Sequence, residues 1–361
     1  MPEQLTPEHI ELRTTCLHLV EQLGEHASTE AVRSAAKTAG LFGMTQPREF
    51  GGTAASQLEL TVARETLASC NVPWMGAVFG SGPGVLSEVE EPLRTSHLLP
   101  MLAGDKRGSF GFTEADADRP TTGKIEAQTL VVNGHKSYVT GGADADFINT
   151  LVKIEGAGPS MVVIDTHTPG VRLKEKFSSL DGSHHAYFVF ENVEVPIGHV
   201  IGEPGAGMPK AMRQIGDTRL LLAATASGYM LWIIDLLQNH LQQKDKAGNP
   251  RGDQLATRLR YGELRVKAFA ARSMLYRTAR MADSGMNVVN EAMACKTFAT
   301  EAVGELTDAA IQLVGGTALM DTHPLTRLYK TVRAWRLAEG ATDTLYLNIG
   351  RGALELGKGT L

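Results

Sequence analysis

AIQLVGGTALMDTHPLTRLYKTVRAWRLAEGATDTLYLNIGRG, residues 310–352, is the stretch of this 361-residue sequence that most strongly indicates its fold. A helical pattern ends at the glycine pair Gly315-Gly316, and a short loop containing Pro324 follows. An Arg-rich helix is then predicted from about Leu325 to Leu337. Two helices joined by a short loop are therefore expected near this end of the chain.

The second of these helices is interrupted at Ala338-Glu339-Gly340, and a new apolar-periodic run starts after the interruption. Glycine lets a chain turn sharply out of a helix, so Gly340 is expected to lift the Glu339 carboxylate away from an ordinary helix surface. Carboxylates act as general bases when apolar surroundings raise their pKa towards neutrality. Glu339 is therefore a candidate catalytic base.

The order and spacing of AIQLVGG and RLYKTVRAWRLAEG resemble the C-terminal signature of the acyl-CoA dehydrogenase family. In that signature a Q-x-x-G-G turn precedes an Arg-rich helix and a Glu-Gly break. The resemblance implies that Glu339 removes the α-proton of a fatty-acyl thioester and that Gly340 contacts the substrate. Arg219 matches an arginine that opens the first bundle helix beside the acyl site. Some members carry their base just before that arginine, where this chain has Thr218.

Charge and composition exclude several classes of function. A net charge of −5 and a pI near 6.1 give no basic face for nucleic acid. Three cysteines without CxxC spacing indicate reduced thiols in a cytoplasmic protein, and the histidines have no metal-ligand spacing. No targeting segment is visible, and the most apolar run, Leu220 to Ile234, is too short to cross a bilayer. We therefore expect no metal and no membrane span.

The apolar pattern changes twice along the chain. It is helical up to about residue 105 and strand-like from about 108 to 203. Four long helices are then expected at about 208–242, 254–284, 287–315 and 325–356. Asn133-Gly134 is a strong signal for a two-residue hairpin turn. These patterns, with the family resemblance, predict an α+β fold with an N-terminal helical domain (1–107), a middle antiparallel β-sandwich or barrel (108–205) and a C-terminal four-helix bundle (206–361).

Two segments of the β part resemble the flavin pocket of the same family. In GFTEADADRP, residues 111–120, Phe112 and Thr113 match the positions that hold the pyrimidine side of the flavin. In SYVTGG, Tyr138 takes the place of the tryptophan that stacks on the ring system, and Thr140 supplies the hydroxyl that bonds flavin N5. Fixed donors around a flavin stabilise the negative charge it gains with a hydride. The resemblance therefore implies FAD as the cofactor.

The resemblance also implies an FAD site shared between subunits, and hence a homotetramer or homodimer. The matching residues are Gln312, Gly315, Gly316, Thr342 and Asp343. Other positions depart from the family pattern. The family's Gly-Ser-Asp is replaced here by Asp118-Arg119-Pro120, and the family's RxxFG motif is reduced to residues 244–248. The family has a threonine two residues beyond the base, where this chain has Ala341.

The sequence therefore predicts an FAD-dependent dehydrogenase of fatty acid metabolism that converts an acyl thioester to a trans-2-enoyl thioester. The carrier can be CoA or an acyl-carrier protein, and electrons are expected to pass to an electron-transfer flavoprotein or a similar acceptor. Two alternatives stay open at this point. One is a flavin oxidase or monooxygenase on the same fold, and the other is a flavin-poor, non-catalytic subunit of a related complex.

Overall fold

The structure, a computed structural model, describes residues 4–116 and 118–357. Helices precede and follow a block of strands, which confirms the predicted α+β fold class. The helices are α1 (Pro7–Leu23), α2 (Thr29–Thr38), α3 (Gln57–Ser69), α4 (Leu99–Ala103), α5 (Gly207–Gln242), α6 (Leu255–Asp283), α7 (Val289–Val314), α8 (Pro324–Trp335) and α9 (Thr342–Leu356). The strands are β1 (Gly108–Gly111), β2 (Thr122–Glu126), β3 (Thr129–Thr140), β4 (Phe147–Ile154), β5 (Gly158–Asp165), β6 (Val171–Ser178) and β7 (His184–Pro196).

The strands form one curled, seven-stranded sheet. Its order is β1-β4-β2-β3-β7-β6, and β5 pairs with β4. Most neighbouring strands are antiparallel, as predicted, but β4 pairs in parallel with both β1 and β2. The sheet is therefore mixed. Strand alternation in the sequence could not indicate this, because alternation shows which residues share one face of a strand and not the direction of the neighbouring strand.

The predicted hairpin at Asn133-Gly134 is wrong. β3 runs through both residues, and the register against β7 shifts between Val132 and Gly134, which marks a β-bulge. Gly134 has φ +140°, and a Cβ there would lie 2.6 Å from the Cα of Thr121. The Asn133 side chain bonds Asn192 of β7 instead of closing a turn. Glycine is needed here for close packing of the backbone, not for a hairpin.

Up to residue 357, where the described part of the chain ends, the C-terminal region contains five α-helices where the sequence predicted four. The segment expected as one helix over about 325–356 is two, because α8 ends at Trp335 and α9 begins at Thr342. The other three bundle helices lie within a few residues of their predicted bounds. The interruption predicted at residues 338–340 therefore separates two helices completely.

Contacts between residues divide the chain into two compact units. The helical unit contains the residues up to Met44, Ala55–Phe79, and the chain from Gly216 onward. The β unit contains Thr45–Ala54 and Gly80–Ile215. Each has its own apolar core: helices α3 and α5 to α8 enclose one in the helical unit, and β3, β4, β5 and β7 enclose one in the β unit. The domain boundaries at residues 107 and 205 stay a prediction.

The longest helix, α5, is also the most apolar. By length and composition alone, among the described residues, it could cross a membrane. Just over half of its most apolar window, 56%, is nevertheless buried inside the protein. Its buried residues include Ala223, Met230, Ile233 and Leu237, which belong to the core of the helical unit. A core helix of a globular protein has this same composition.

Candidate active site

Glu339 lies in a tight turn between α8 and α9. Its φ is +55° and that of Gly340 is +105°, so two consecutive residues adopt positive φ. A Cβ at Gly340 would lie 2.9 Å from Cδ2 of Leu345, so a side chain here would have to displace Leu345 as well as adopt a positive φ. Positive φ is uncommon for a residue with a side chain and is found more often at functional sites. The predicted break at Glu339-Gly340 is confirmed.

Two cationic side chains hold this turn. Arg219 of α5 donates from Nε to the carbonyl oxygen of Glu339, 3.0 Å away. Lys296 of α7 donates from Nζ to the carbonyl oxygen of Gly340, 2.7 Å away. Each of these hydrogen bonds gives a backbone carbonyl group of the turn a side-chain partner. The turn is therefore fixed from α5 and α7, and two positive charges act on the Glu339 carboxylate.

Burial raises the pKa of Glu339 above its ordinary value, and the charges of Arg219 and Lys296 oppose that rise. Burial also lowers the pKa of Lys296, to about 8, with the charge of Arg219 acting in the same direction. The pKa of Arg219 is lowered by its own burial. A carboxyl group with a raised pKa takes up and releases a proton more readily near neutral pH. The turn therefore presents a group suited to general acid-base chemistry.

A second polar cluster fixes the start of α9. Thr342 donates from Oγ1 to Glu301 of α7 at 2.8 Å, and its backbone N–H donates to the carbonyl oxygen of Arg336 at 3.0 Å. Glu301 also pairs with the Arg336 side chain, 3.0 Å away. The Thr342 hydroxyl hydrogen is thus already used within the chain. Asp343, in the first turn of α9, is exposed.

The other predicted cofactor residues of the helical unit lie at the far end of α7. Gln312 and Gly316 are exposed, and Gly315 ends the helix with φ +90°. From Lys296 to Gln312 the rise of the helix is about 24 Å. A cavity of about 390 Å³ lies at this end of α7, lined by Val314, His323 and residues of α5. Within one chain these residues are therefore not brought together with Glu339.

The four predicted flavin residues of the β unit lie on neighbouring segments. The backbone N–H of Ser137, next to Tyr138, donates to the carbonyl oxygen of Thr113 at 3.0 Å. Thr113, Tyr138 and Thr140 are all exposed, and Phe112 is half-buried. Tyr138 has φ +52°, exposes 61% of its surface and meets the ring of Phe177 edge-on. One aromatic ring and two hydroxyl oxygens on these segments are therefore accessible to a ligand.

Residues 205–354 match the family model "Acyl-CoA dehydrogenase, C-terminal domain", and residues 109–193 match "Acyl-CoA dehydrogenase, middle domain". Together the two matches cover more than half of the chain. The chain belongs to the acyl-CoA dehydrogenase family. Members of this family are oxidoreductases that act on CH–CH groups, and the chain is an enzyme of that class.

Individual members of the family resemble this chain over most of its length. The human mitochondrial short-chain specific acyl-CoA dehydrogenase is 28% identical, with 84% of this chain and 77% of that protein covered. The caffeyl-CoA reductase-Etf complex subunit CarC of Acetobacterium woodii is 26% identical, with 92% and 91% covered. The crystal structure of a probable acyl-CoA dehydrogenase from Mycobacterium abscessus has a TM-score of 0.86 at 25% identity, with 96% and 99% covered.

The acyl-CoA dehydrogenase family is flavin-dependent, and the β unit of this member has groups that fit a flavin. An isoalloxazine ring needs a flat apolar contact and hydrogen-bonding groups near its ring nitrogens. The exposed Tyr138 ring and the hydroxyl groups of Thr113 and Thr140 meet both needs. Arg119, which replaces part of the family's Gly-Ser-Asp, is exposed and lies 3.8 Å from Asp116, so it remains accessible to a phosphate.

The loop that replaces the family's RxxFG motif closes on itself. Oδ1 of Asp245 accepts from the backbone N–H groups of Ala247 and Asn249, at 2.8 and 3.0 Å. Lys244 forms a backbone bridge with Pro250. Hydrogen bonds within the loop therefore hold the backbone of this segment. Among the described residues, no group of three or more His, Cys, Asp or Glu side chains could hold a metal ion.

Sequence reasoning missed two buried lysines of this family member. Lys296, fully buried in α7, occupies a position on the apolar face with Met293 and Ala299. That spacing alone could have identified it as unusual. Lys136, also fully buried, pairs with Glu114 and donates to the carbonyl oxygen of Phe112 at 3.3 Å. It therefore ties the segment that contains Phe112 and Thr113 to β3.

Proposed function

We propose that this protein is an FAD-dependent enzyme that oxidises the Cα–Cβ bond of an acyl thioester, with Glu339 as the base. The observation that carries the proposal is the Glu339 turn, in which a carboxyl group with a raised pKa stands on a strained, doubly anchored backbone. Strain of this kind persists only where the surrounding structure holds it. Together with the raised pKa of its carboxyl group, this strain supports a functional role for Glu339.

The chain's own residues supply the proton chemistry. In its ionised form the Glu339 carboxylate takes the proton from the α-carbon of the thioester. Arg219 and Lys296 stabilise the ionised carboxylate by charge and hold its backbone in place. The backbone N–H of Glu339 is a candidate donor to the thioester oxygen, which makes the α-proton more acidic. Bound FAD supplies the acceptor for the β-hydride.

The proposed FAD contacts are Phe112, Thr113, Tyr138 and Thr140 in the β unit. Lys136 supports them by holding the Phe112 carbonyl oxygen and the Glu114 carboxylate. Contacts from Gln312, Gly315, Gly316, Thr342 and Asp343 are part of the proposal, as are substrate contacts from Arg219 and Gly340. Since the end of α7 lies far along the helix from Lys296, we assign Gln312, Gly315 and Gly316 to the FAD of a neighbouring subunit.

A shared FAD site requires a homo-oligomer, and α6 has a surface suited to one. The exposed apolar residues of this helix are spaced so that they share one face. They are Leu255, Leu259, Val266 and Phe269, each exposed by more than 60%. Contiguous exposed apolar surface commonly marks a protein interface. We propose a dimer or tetramer assembled in part through this face.

An electron-transfer flavoprotein is the proposed electron partner. The relative from Acetobacterium woodii is named as a subunit of a caffeyl-CoA reductase-Etf complex, which supports such a partner here. That relative is a reductase, and a carboxyl group at the position of Glu339 can return a proton to the α-carbon as well as remove one. A place in fatty acid metabolism and a cytoplasmic location complete the proposal, the latter supported by three free cysteines.

The proposal is tested by anaerobic visible spectroscopy of the purified, FAD-saturated protein with a panel of acyl-CoA and acyl-carrier-protein thioesters. Wild type is expected to bleach with at least one thioester, and Glu339→Gln is expected to keep its flavin and lose bleaching by several orders of magnitude. Glu355→Gln, at an exposed position of α9, is the matched control and should behave as wild type. Rapid bleaching by Glu339→Gln would refute Glu339 as the base.

A further inference from the structure

His185 connects the predicted flavin contact Thr140 to a carboxylate. Thr140 Oγ1 lies 3.2 Å from Nδ1 of His185, and Nε2 of the same ring lies 2.9 Å from Oγ of Ser183. Ser183 in turn donates from Oγ to Oδ1 of Asp181, 2.7 Å away. Four side chains of the β unit therefore form a continuous chain of hydrogen bonds that ends at Thr140.

The donors and acceptors in this chain have only one consistent arrangement when His185 is neutral. An ionised Asp181 can only accept, so the Ser183 hydroxyl hydrogen is used there. Ser183 Oγ must then accept from Nε2–H of His185. A neutral imidazole carries one N–H, which leaves Nδ1 as an acceptor. Thr140 therefore donates its single hydroxyl hydrogen to His185.

This arrangement leaves the oxygen of Thr140 able only to accept from a second partner. N5 of an oxidised flavin is an acceptor and offers no hydrogen. A reduced flavin carries N5–H and can donate. We propose that Asp181, Ser183 and His185 hold Thr140 as an acceptor for reduced flavin and thereby raise the reduction potential of the bound cofactor. The inference rests on the proposed FAD site at Thr140.

The position of His185 is fixed by the sheet. His185 pairs with Thr140 of β3 on one side and with Phe177 of β6 on the other. Its ring also contacts the rings of Tyr138 and Phe177, with centroids 5.7 and 5.6 Å apart. A ring held on both sides keeps its nitrogens aimed at Thr140 and Ser183. His185 is therefore a positioning residue that acts on the cofactor through Thr140.

The neighbouring His184 provides a matched control. It is exposed, and its Nδ1 lies 2.9 Å from Oγ of Ser178. Its backbone carbonyl oxygen accepts from Gly141 N–H, a contact that a side-chain substitution leaves intact. A change at His184 therefore removes a neighbouring imidazole ring without touching the chain of hydrogen bonds to Thr140.

The test measures dissociation constants of oxidised and reduced FAD, and the flavin midpoint potential, in the full-length protein without substrate. His185→Leu is expected to weaken binding of reduced relative to oxidised FAD by about three- to tenfold, the range for one hydrogen bond, and to lower the potential. His185→Asn can still accept from Thr140 through its side-chain oxygen and should keep most of the wild-type preference. His184→Leu should change neither quantity.

Coupling to Thr140 separates this role from a general structural one. In a Thr140→Val background, His185→Leu is expected to have no further effect on the potential. If His185→Leu shifted the midpoint potential equally in wild type and in Thr140→Val, or shifted it in neither, the inference would be overturned. A wild-type protein that binds no FAD at saturating concentration overturns it together with the proposed cofactor. If the coupling is found but no thioester bleaches the flavin, the inference stands and the proposed reaction fails.

Discussion

Arg219 on α5 donates a hydrogen bond from Nε to the carbonyl oxygen of Glu339, which lies 3.0 Å away. The two residues are 120 positions apart in the sequence. The same guanidinium lowers the pKa of the Glu339 carboxyl group, against the effect of burial, which raises it. Arg219 therefore acts in two separable ways: it holds the turn through a hydrogen bond, and it sets the proton affinity of the base through its charge.

These two effects predict how activity depends on pH. Glu339 must be ionised to accept a proton, so kcat/KM should fall as pH decreases through the raised pKa of Glu339. Arg219→Gln removes a charge that lowers this pKa. The acidic limb of the profile of kcat/KM against pH should therefore move to higher pH. Arg219→Lys keeps the charge and should leave the limb near its wild-type position. An acidic limb that is identical in all three proteins would contradict the assignment of this limb to Glu339.

Lys296 predicts a pH dependence of stability. Its pKa is lowered from an ordinary 10.5 to about 8 in the folded protein, mainly by burial. Between these values the unfolded chain binds a proton at Lys296 and the folded chain does not, so the unfolding free energy should rise with pH in this window. The contribution is at most about 1.4 kcal/mol per pH unit.

Urea unfolding of wild type and Lys296→Met between about pH 8 and 10.5 checks this prediction. The substitution also removes the hydrogen bond to the Gly340 carbonyl oxygen, which should lower stability by a constant amount. Only the slope against pH reports on the titration of Lys296. If the unfolding free energies of the two proteins had the same slope against pH, burial would not lower the pKa of the Lys296 ammonium group.

Features set by local sequence were predictable, and features set by distant packing were not. The break at Glu339-Gly340 followed from a glycine at the end of a helical pattern. The capping box of Ser56 and Glu59 at the start of α3 is another feature that residues close together in the sequence set. In contrast, Asn133-Gly134 has the composition of a hairpin turn, but contact with Thr121 makes it a bulge.

The site residues that the sequence did not reveal are also placed by contacts between distant parts of the chain. Lys296 meets Gly340 across 44 residues, and His185 meets Thr140 across 45. Neither residue belongs to a motif that can be recognised from the adjacent residues in the sequence. The roles of Phe112, Thr113 and Tyr138 came from resemblance to a family, and the structure adds that Thr113 and Tyr138 lie on adjacent, exposed backbone. Packing between helices brings Lys296 to Gly340, and pairing within the β unit brings His185 to Thr140. A single sequence specifies neither.

The buried Glu65 predicts a large stability effect in the helical unit. Its carboxylate accepts from Ser227 and Tyr276 at 2.6 Å and from two nitrogens of Arg272 at 2.8 Å, which joins α3, α5 and α6. Glu65→Gln removes the counter-charge of Arg272 and should cost about 3–5 kcal/mol in unfolding free energy. Glu263→Gln, at an exposed ion pair of α6, is the control and should change little. Equal unfolding midpoints for the two variants would contradict the prediction.

The exposed apolar face of α6 predicts the behaviour of the assembly. Phe269 exposes 72% of its surface in a single chain, and Val266 exposes 67%, although both are large apolar residues. A charge placed at the centre of a buried apolar interface is unpaired and costly, so Phe269→Glu should shift the protein towards smaller species. Light scattering coupled to size-exclusion chromatography measures this mass, with His18→Glu, at an exposed position of α1, as the control. Since Gln312 and Gly315 are proposed to reach the FAD of a neighbouring subunit, the smaller species should also bind FAD more weakly. A variant that keeps the wild-type mass would exclude this face from the interface. A smaller species that retains full FAD affinity would show instead that each subunit holds its cofactor alone.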